Sequence, residues 1–240
     1  MFEHGSFEFL LLGMRKIFLD IETLPAGDDK LEILKKLYEK KIAKQGSEKG
    51  ENETFEAFVG ATNFDGAFGR ILCIGFAIDD GAAENLYHEN DERQTLKRFW
   101  EIVDSISSPS RGGYGGPDYG VQFIGHNVMD FDLRFIYQRS VVLDVKPAYE
   151  LNFARYRNYP IYDTMREWTK WSSGMIGLEK LALALGIPSP KDEGIDGSQV
   201  AQFFAEGKVN DILEYCKRDV ETTRAVYRKM TFERPANKLF

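Results

Sequence analysis

Four carboxylates in three separated patches, Asp20 with Glu22, Asp132, and Asp219, are of the type and grouping that can hold divalent cations. The patches read KIFLDIET, GHNVMDFD and EYCKRDV, and the last adds Tyr215, one helical turn before Asp219. Hard divalent ions take oxygen ligands. Two of them roughly 4 Å apart can hold both the attacking and the leaving oxygen of an in-line phosphoryl displacement. Each patch alone is a weak sign: a lone Asp-x-Glu recurs by chance, and Asp is a good residue at helix N-termini. Their order, spacing and elements carry the information, because the chemistry needs carboxylates from several elements to converge. Tyr215, with an ordinary pKa near ~10, is a poor base, so its role would be to orient a water.

The elements that must position these groups follow from hydrophobic pattern. Residues 16–21 form a nearly continuous apolar run, as in a buried central strand. Two positions apart on a strand, Asp20 and Glu22 leave the same face. Like charges side by side in a buried strand are costly. A bound cation removes the conflict; a strand end open to water is the plainer reading. Asp132 follows a predicted strand at 121–125 and a short loop, and sits in a predicted helix at 131–138, on the rim of the sheet. Asp130 competes for its role; Phe131 as a core-facing anchor favours Asp132, and Asn127 would brace the loop or meet a substrate sugar. Tyr215 and Asp219 are i and i+4 on a predicted helix and share a face, with Leu213, Cys216, Val220 and Thr223 as a separate apolar contact surface.

Residues 70–78 and 84–88 are strand-like around Asp79-Asp80-Gly81, a hairpin signal. Helices are predicted at 31–43, 91–105, 163–171, 177–185, 198–206 and 209–230, with Ser198 and Gly207 as N-cap and C-cap signals bracketing one of them. Residues 25–66, including the polar stretch GSEKGENE, read as a helical insertion lining one edge of the site. SSPSRGGYGGPDYG is a Gly/Pro-rich loop.

The 240 residues, 43% apolar and 29% charged, fit one α/β domain of generous size. Residues 1–13 read as an N-terminal extension ahead of a single domain over 14–240, with Met14 a natural start. The apolar run at 9–14 is too short to span a bilayer, and Glu3 and Glu8 argue against a secretory leader. Cys73 and Cys216 have neither framework nor metal-site spacing and are expected as reduced thiols in a cytoplasmic protein. A net charge of −7 argues against a simple coat for nucleic acid, but not against a local site that meets phosphate.

Several residues have two readings. Arg155, Tyr156, Arg157 and Tyr159 interleave cations and rings, a pattern that stacks bases and contacts phosphates of a single strand; a solvated loop with folded-back tyrosines is the alternative. Asp163 reads as a helix N-cap, with support of a metal ligand as the alternative. His126 reads as a structural hydrogen-bonding residue. Leu24 and Phe131 suit core packing, or a wedge beside a terminal base. Asp192, Glu193 and Asp196 do not match a calcium loop and read as solvated.

LDIETLP, GHNVMDFDLRF and YCKRDVETT resemble the three motifs of the DEDDy 3′–5′ exonucleases. GLEKLALALGIP and GIDGSQVAQFFAEGKVNDILEYCKRDV resemble stand-alone predicted exonucleases related to the proofreading domain of family B DNA polymerases, so that the likeness runs from about residue 15 to 230. The resemblance implies a ribonuclease H-like α/β fold, a mixed sheet flanked by helices. It implies Asp20, Glu22, Asp132 and Asp219 as ligands of two Mg²⁺ or Mn²⁺ ions, with Tyr215 orienting the water. The sibling subclass has histidine where Tyr215 stands. Release of nucleoside 5′-monophosphates from single-stranded 3′ ends, of DNA before RNA, is the expected activity. Candidate substrate contacts are Thr23, Leu24, Asn127, Phe131, Arg155 and Arg157. No membrane contact is expected, and a proofreading role would call for a partner protein. Two rival readings are a nucleic-acid-binding module with a vestigial site and an accessory subunit acting through residues 25–66.

Overall fold

Strand β1 (Arg15–Leu24) is the middle of a five-stranded sheet ordered β3–β2–β1–β4–β5. The computed structural model describes residues 14–45, 54–107, 120–188, 195 and 197–233. The expected extension at 1–13, the polar stretch at 46–53, most of the Gly/Pro-rich loop (108–119), and Asp192, Glu193 and Asp196 lie outside the described residues. β2 (Arg70–Ile78) pairs antiparallel with β1, and β3 (Glu84–Leu86) antiparallel with β2. β4 (Val121–Gly125) runs parallel to β1, and β5 (Ile161–Asp163) parallel to β4. The hairpin at Asp79-Asp80-Gly81 is present, with β3 ending at Leu86 rather than 88. β5 was not expected. Its three buried residues are too few to show a strand period, and the helix read from 163 starts as α5 (Thr164–Thr169).

Alternation along β1 divides the core. Ile17, Leu19 and Ile21 pack with Leu96, Phe99, Trp100 and Val103 of α3 (Glu92–Ile106) and with Leu133, Phe135 and Ile136 of α4 (Asp132–Val142). Phe18 and Leu24 face the other way. Phe18 meets Val220 and Tyr227 of α8 (Val209–Met230), and Leu24 meets Ile212 of α8 and Val200 of α7 (Val200–Ala205). Asp20 and Glu22 are in phase with this second set, which aims both carboxylates at α8. Gly75 pairs with Asp20 across the β1–β2 ladder, and a Cβ there would stand 2.7 Å from Cys216 Sγ. Only glycine lets α8 come this close.

Residues 25–66 carry a 3-10 turn (Asp28–Lys30), α1 (Leu31–Gln45), α2 (Phe55–Gly60) and a second 3-10 turn (Ala61–Phe64), so the segment is helical as expected. Its two ends are joined: Ala26 N–H donates to Thr62 Oγ1 at 2.8 Å, and Thr23 Oγ1 donates to Asn63 O at 2.8 Å. α6 (Leu178–Ala184) packs Leu181 and Ala182 against Val226 of α8. Ser198 is not the cap of α7. It lies inside a 3-10 turn (Gly197–Gln199), and Gln199 occupies the cap position, its side chain making no capping hydrogen bond to the first turn. Gly207, at φ +73, follows the C-cap Glu206 in the left-handed conformation that favours glycine. No helix among the described residues is long and apolar enough to cross a membrane.

Candidate active site

The β1–β4 ladder runs from Arg15↔Val121 to Phe18↔Ile124, so β1 continues past the end of its neighbour. After Gly125 the chain turns sharply: a Cβ there would stand 2.5 Å from Val128 Cβ and 3.1 Å from Leu19 O. The turn delivers Asp132 to the place a further β4 residue would take. Asp132 Oδ1 accepts the Ile21 N–H at 3.0 Å. A carboxylate from α4 is thereby fixed to the backbone between Asp20 and Glu22. Asp130 is committed elsewhere, accepting from Arg166 Nε at 3.0 Å and facing Arg134 at 3.7 Å.

Asp163 holds the turn from behind. Its Oδ1 accepts the backbone N–H groups of Met165 and Arg166, capping α5, and also that of Asn127 at 3.1 Å; its Oδ2 accepts Met129 N–H at 3.0 Å. The expected helix cap is present, and the same buried carboxylate also braces the turn that leads to Asp132. His126 is structural as expected, paired through Nδ1 with Thr164 Oγ1 (2.9 Å) and through Nε2 with Ile176 O (2.8 Å).

Tyr215 and Asp219 descend from α8, with the phenol hydrogen-bonded to Asp219. Burial first, then the charges of Asp219, Glu22 and Asp20, push the phenol well above its ordinary range, so it stays protonated. The carboxylates disturb one another in the same way. Asp20 is raised by burial and by Asp132, Glu22 and Asp219; Glu22 by burial, Cys73, Asp219 and Asp132. Asp132 is pushed up to about 7 by burial, partly offset by backbone N–H donors. Such mutual repulsion is what a divalent cation neutralises. Carboxylate oxygens of Asp20 and Glu22 lie with Cys216 Sγ inside a group whose donor atoms are all within 4.8 Å of one another.

Cys216 was not expected there. The thiol lies 3.6 Å from both Asp20 Oδ2 and Asp20 O, and contact with Cys73, burial and the nearby carboxylates raise its pKa well above the usual range. The protonated thiol backs the carboxylates in the metal-free protein, and the carboxylate oxygens beside it are the donors that hard divalent cations take. Its sequence position, directly after Tyr215 on the helix, was the available signal.

The other candidates divide. Thr23 is buried and its hydroxyl is used on Asn63 O. Leu24 follows the core-packing reading: it is buried with Leu72, Val200 and Ile212. Asn127, at φ +61, braces the turn, its carbonyl accepting Phe131 N–H at 3.0 Å. Phe131 packs partly on the core and partly against Phe64, 6.1 Å between ring centroids. Phe64 is 72% exposed, comes from the 25–66 segment, and had no sequence signal of its own. Arg155 and Arg157 are exposed.

A mixed five-stranded sheet with helices on both faces and this strand order is the ribonuclease H-like exonuclease fold. The family B DNA polymerase from the hyperthermophilic archaeon Pyrobaculum calidifontis superposes with a TM-score of 0.59 at 16% identity, over 91% of this chain and 24% of that one. The chain thus spans about a quarter of that polymerase's length. No curated protein matches the chain. Residues 83–236 match the family of predicted 3′–5′ exonucleases related to the exonuclease domain of PolB, and the chain belongs to that family. The matched residues include Asp132, Tyr215 and Asp219; β1, with Asp20 and Glu22, precedes them.

Two outcomes follow from this geometry. A carboxyl whose folded pKa is raised is stabilising relative to its charged form at low pH, and that contribution is lost as pH climbs from the unfolded value toward the folded one. The metal-free protein should therefore lose stability between about pH 4 and the value near 7 for Asp132. Asp20→Asn should raise the Tm of metal-free protein, more at about pH 8 than at about pH 5, and excess Mg²⁺ should stabilise only the wild type. A Tm difference independent of pH and metal would refute the repulsion. Asp163→Asn keeps one acceptor oxygen but presents an NH₂ to a backbone donor, so metal affinity measured calorimetrically should fall about 10- to 100-fold. Unchanged affinity would reduce Asp163 to a helix cap.

Proposed function

We propose that the protein is a DEDDy-type 3′–5′ exonuclease that hydrolyses single-stranded nucleic acid, DNA before RNA, releasing nucleoside 5′-monophosphates. The observation that carries this reading is the convergence of Asp20, Glu22 and Asp132 at one backbone segment, with Tyr215 and Asp219 facing them from α8. Asp20, Glu22, Asp132 and Asp219 would hold two divalent cations, Mg²⁺ or Mn²⁺. Bound there, the cations would supply Lewis-acid polarisation of the phosphate and activation of a water.

The chain's own groups do the rest. Tyr215 remains a phenol, donates to Asp219 and keeps its oxygen lone pairs for a water, so it orients the nucleophile without taking its proton. Asp132, held by Ile21 N–H, cannot swing away when the phosphate arrives. Exposed Phe64 beside Phe131 offers apolar ring surface to an unpaired terminal base, which a paired base inside a duplex would not present.

The test is hydrolysis of 5′-labelled single-stranded DNA and RNA with Mg²⁺, Mn²⁺ or EDTA. A metal-dependent ladder shortening from the 3′ end is expected, absent in Asp219→Ala. In Tyr215→Phe it should be slowed about 10²-fold, as misplacement of a reacting group would do, with metal affinity retained. Products undiminished in Asp219→Ala, or metal binding without products on any strand, would overturn the assignment.

A further inference from the structure

Away from the carboxylates, rings and cations gather where the loop before β5 meets the end of α5. Tyr156 is 75% exposed, and its ring lies 5.2 Å from that of Trp171, centroid to centroid, tilted by 44°. Both residues have φ +63, and Lys170 between α5 and Trp171 has φ +48. Bulky residues seldom adopt this left-handed backbone, so the surroundings hold the pair in one presentation. Trp171 is the fixed member. Its backbone N–H donates to Arg166 O at 3.1 Å, its indole N–H to Glu167 Oε1 at 3.4 Å, and its body packs on the core. Tyr156 is the exposed plate laid against it.

Arg155 and Arg157 flank that plate, both exposed, and neither forms a hydrogen bond or ion pair among the described residues. In a chain of net charge −7, two uncommitted guanidinium groups beside an exposed ring are locally complementary to a phosphate backbone. A chain of contacts leads from Trp171, through Arg166, to the loop before Asp132. Arg166 of α5 and Arg134 of α4 both engage Asp130, two residues before Asp132. Arg134 in turn lies 5.4 Å over the ring of Phe153, which packs on the same core as Phe131 and Trp171. Between Asp163 and Trp171 lie only the six residues of α5, about 9 Å of helix, and Lys170.

We infer that Tyr156, seated on Trp171 and flanked by Arg155 and Arg157, docks the single strand behind the scissile 3′ end. It takes an unpaired base on the tyrosine face and backbone phosphates on the two arginines. The inference rests on the exonuclease reading above and adds a second contact point for the same substrate. Stacking of this kind accepts any base, because every base has a π face. The platform therefore sets affinity for strand length rather than for sequence. A dinucleotide, too short to reach it, is indifferent to it.

The experiment uses the full chain and two readouts. The first is anisotropy of labelled oligothymidylate in EDTA; the second is Mg²⁺-dependent hydrolysis of the same strand and of a thymidine dinucleotide. Tyr156→Ala should raise Kd and KM for the long strand about 5- to 150-fold and leave dinucleotide kcat/KM unchanged, while Tyr156→Phe behaves as wild type. Removing both arginines (Arg155→Ala with Arg157→Ala) should flatten the slope of log Kd against log salt by roughly 1.4. Long-strand Kd unaltered by Tyr156→Ala, or failure of the wild type to bind the strand, overturns the platform. So does a parallel loss on the dinucleotide, which would mark the loop as structural. Should the wild type hydrolyse neither substrate, the exonuclease reading fails, and the binding comparison still decides the platform.

Discussion

The hydrogen bond from Ile21 N–H to Asp132 Oδ1 depends on one strand being shorter than its neighbour. Had β4 continued beyond Gly125, the next rungs of the parallel ladder would have consumed the β1 backbone groups. The chain instead leaves the sheet, turns through residues 126–131 and returns a carboxylate to the exposed donor. A buried N–H must find an acceptor, so folding of the sheet and placement of Asp132 are one event. Everything else at the site is measured from this point. Asp20 and Glu22 flank the donor in sequence, and Asp163 pins the turn that makes the bond possible.

The second constraint is repulsion. The middle strand of the sheet presents Asp20 and Glu22 to α8, which brings Asp219, and burial together with the neighbouring negative charges raises both strand carboxylates. A protein optimised for stability would fill this position with apolar residues. The close approach permitted by Gly75 sharpens the conflict, since it brings Tyr215, Cys216 and Asp219 down onto the strand. The neutral thiol of Cys216 fills the space behind Asp20 without adding a charge, which suits a site already crowded with them. Tyr215 resolves part of the same problem by remaining protonated and donating to Asp219.

What the sequence made legible was whatever expressed itself through period or through a rigid local motif. β1 was visible from its apolar run, and the two-position spacing of Asp20 and Glu22 fixed a shared face. The Asp79-Asp80-Gly81 turn and the long helix carrying Tyr215 and Asp219 were readable for similar reasons. β5 was not, because three residues cannot display an alternation and its strand character comes from pairing with β4. Ser198 looked like a cap because its residue type suits one, yet a 3-10 turn displaced the helix start. Leu24 and Phe64 show the same limit at the site. Whether an apolar side chain faces the core or the cleft is decided by which neighbour reaches it first, here Ile212 for Leu24 and the partly buried Phe131 for Phe64. No pattern within either local stretch contains that information.

The two stitches at the base of the 25–66 segment have a consequence for how such an enzyme can change. Thr62 Oγ1 receives Ala26 N–H and itself donates to Val59 O, while Asn63 O receives Thr23 Oγ1. The segment is thus a loop closed at its neck, and the residues between Ala26 and Thr62 can lengthen, shorten or be replaced without transmitting a shift to β1. Closure entropy rises only slowly with loop length. The neck separates the segment from β1 and its carboxylates, so the two parts of the chain can diverge under separate selection.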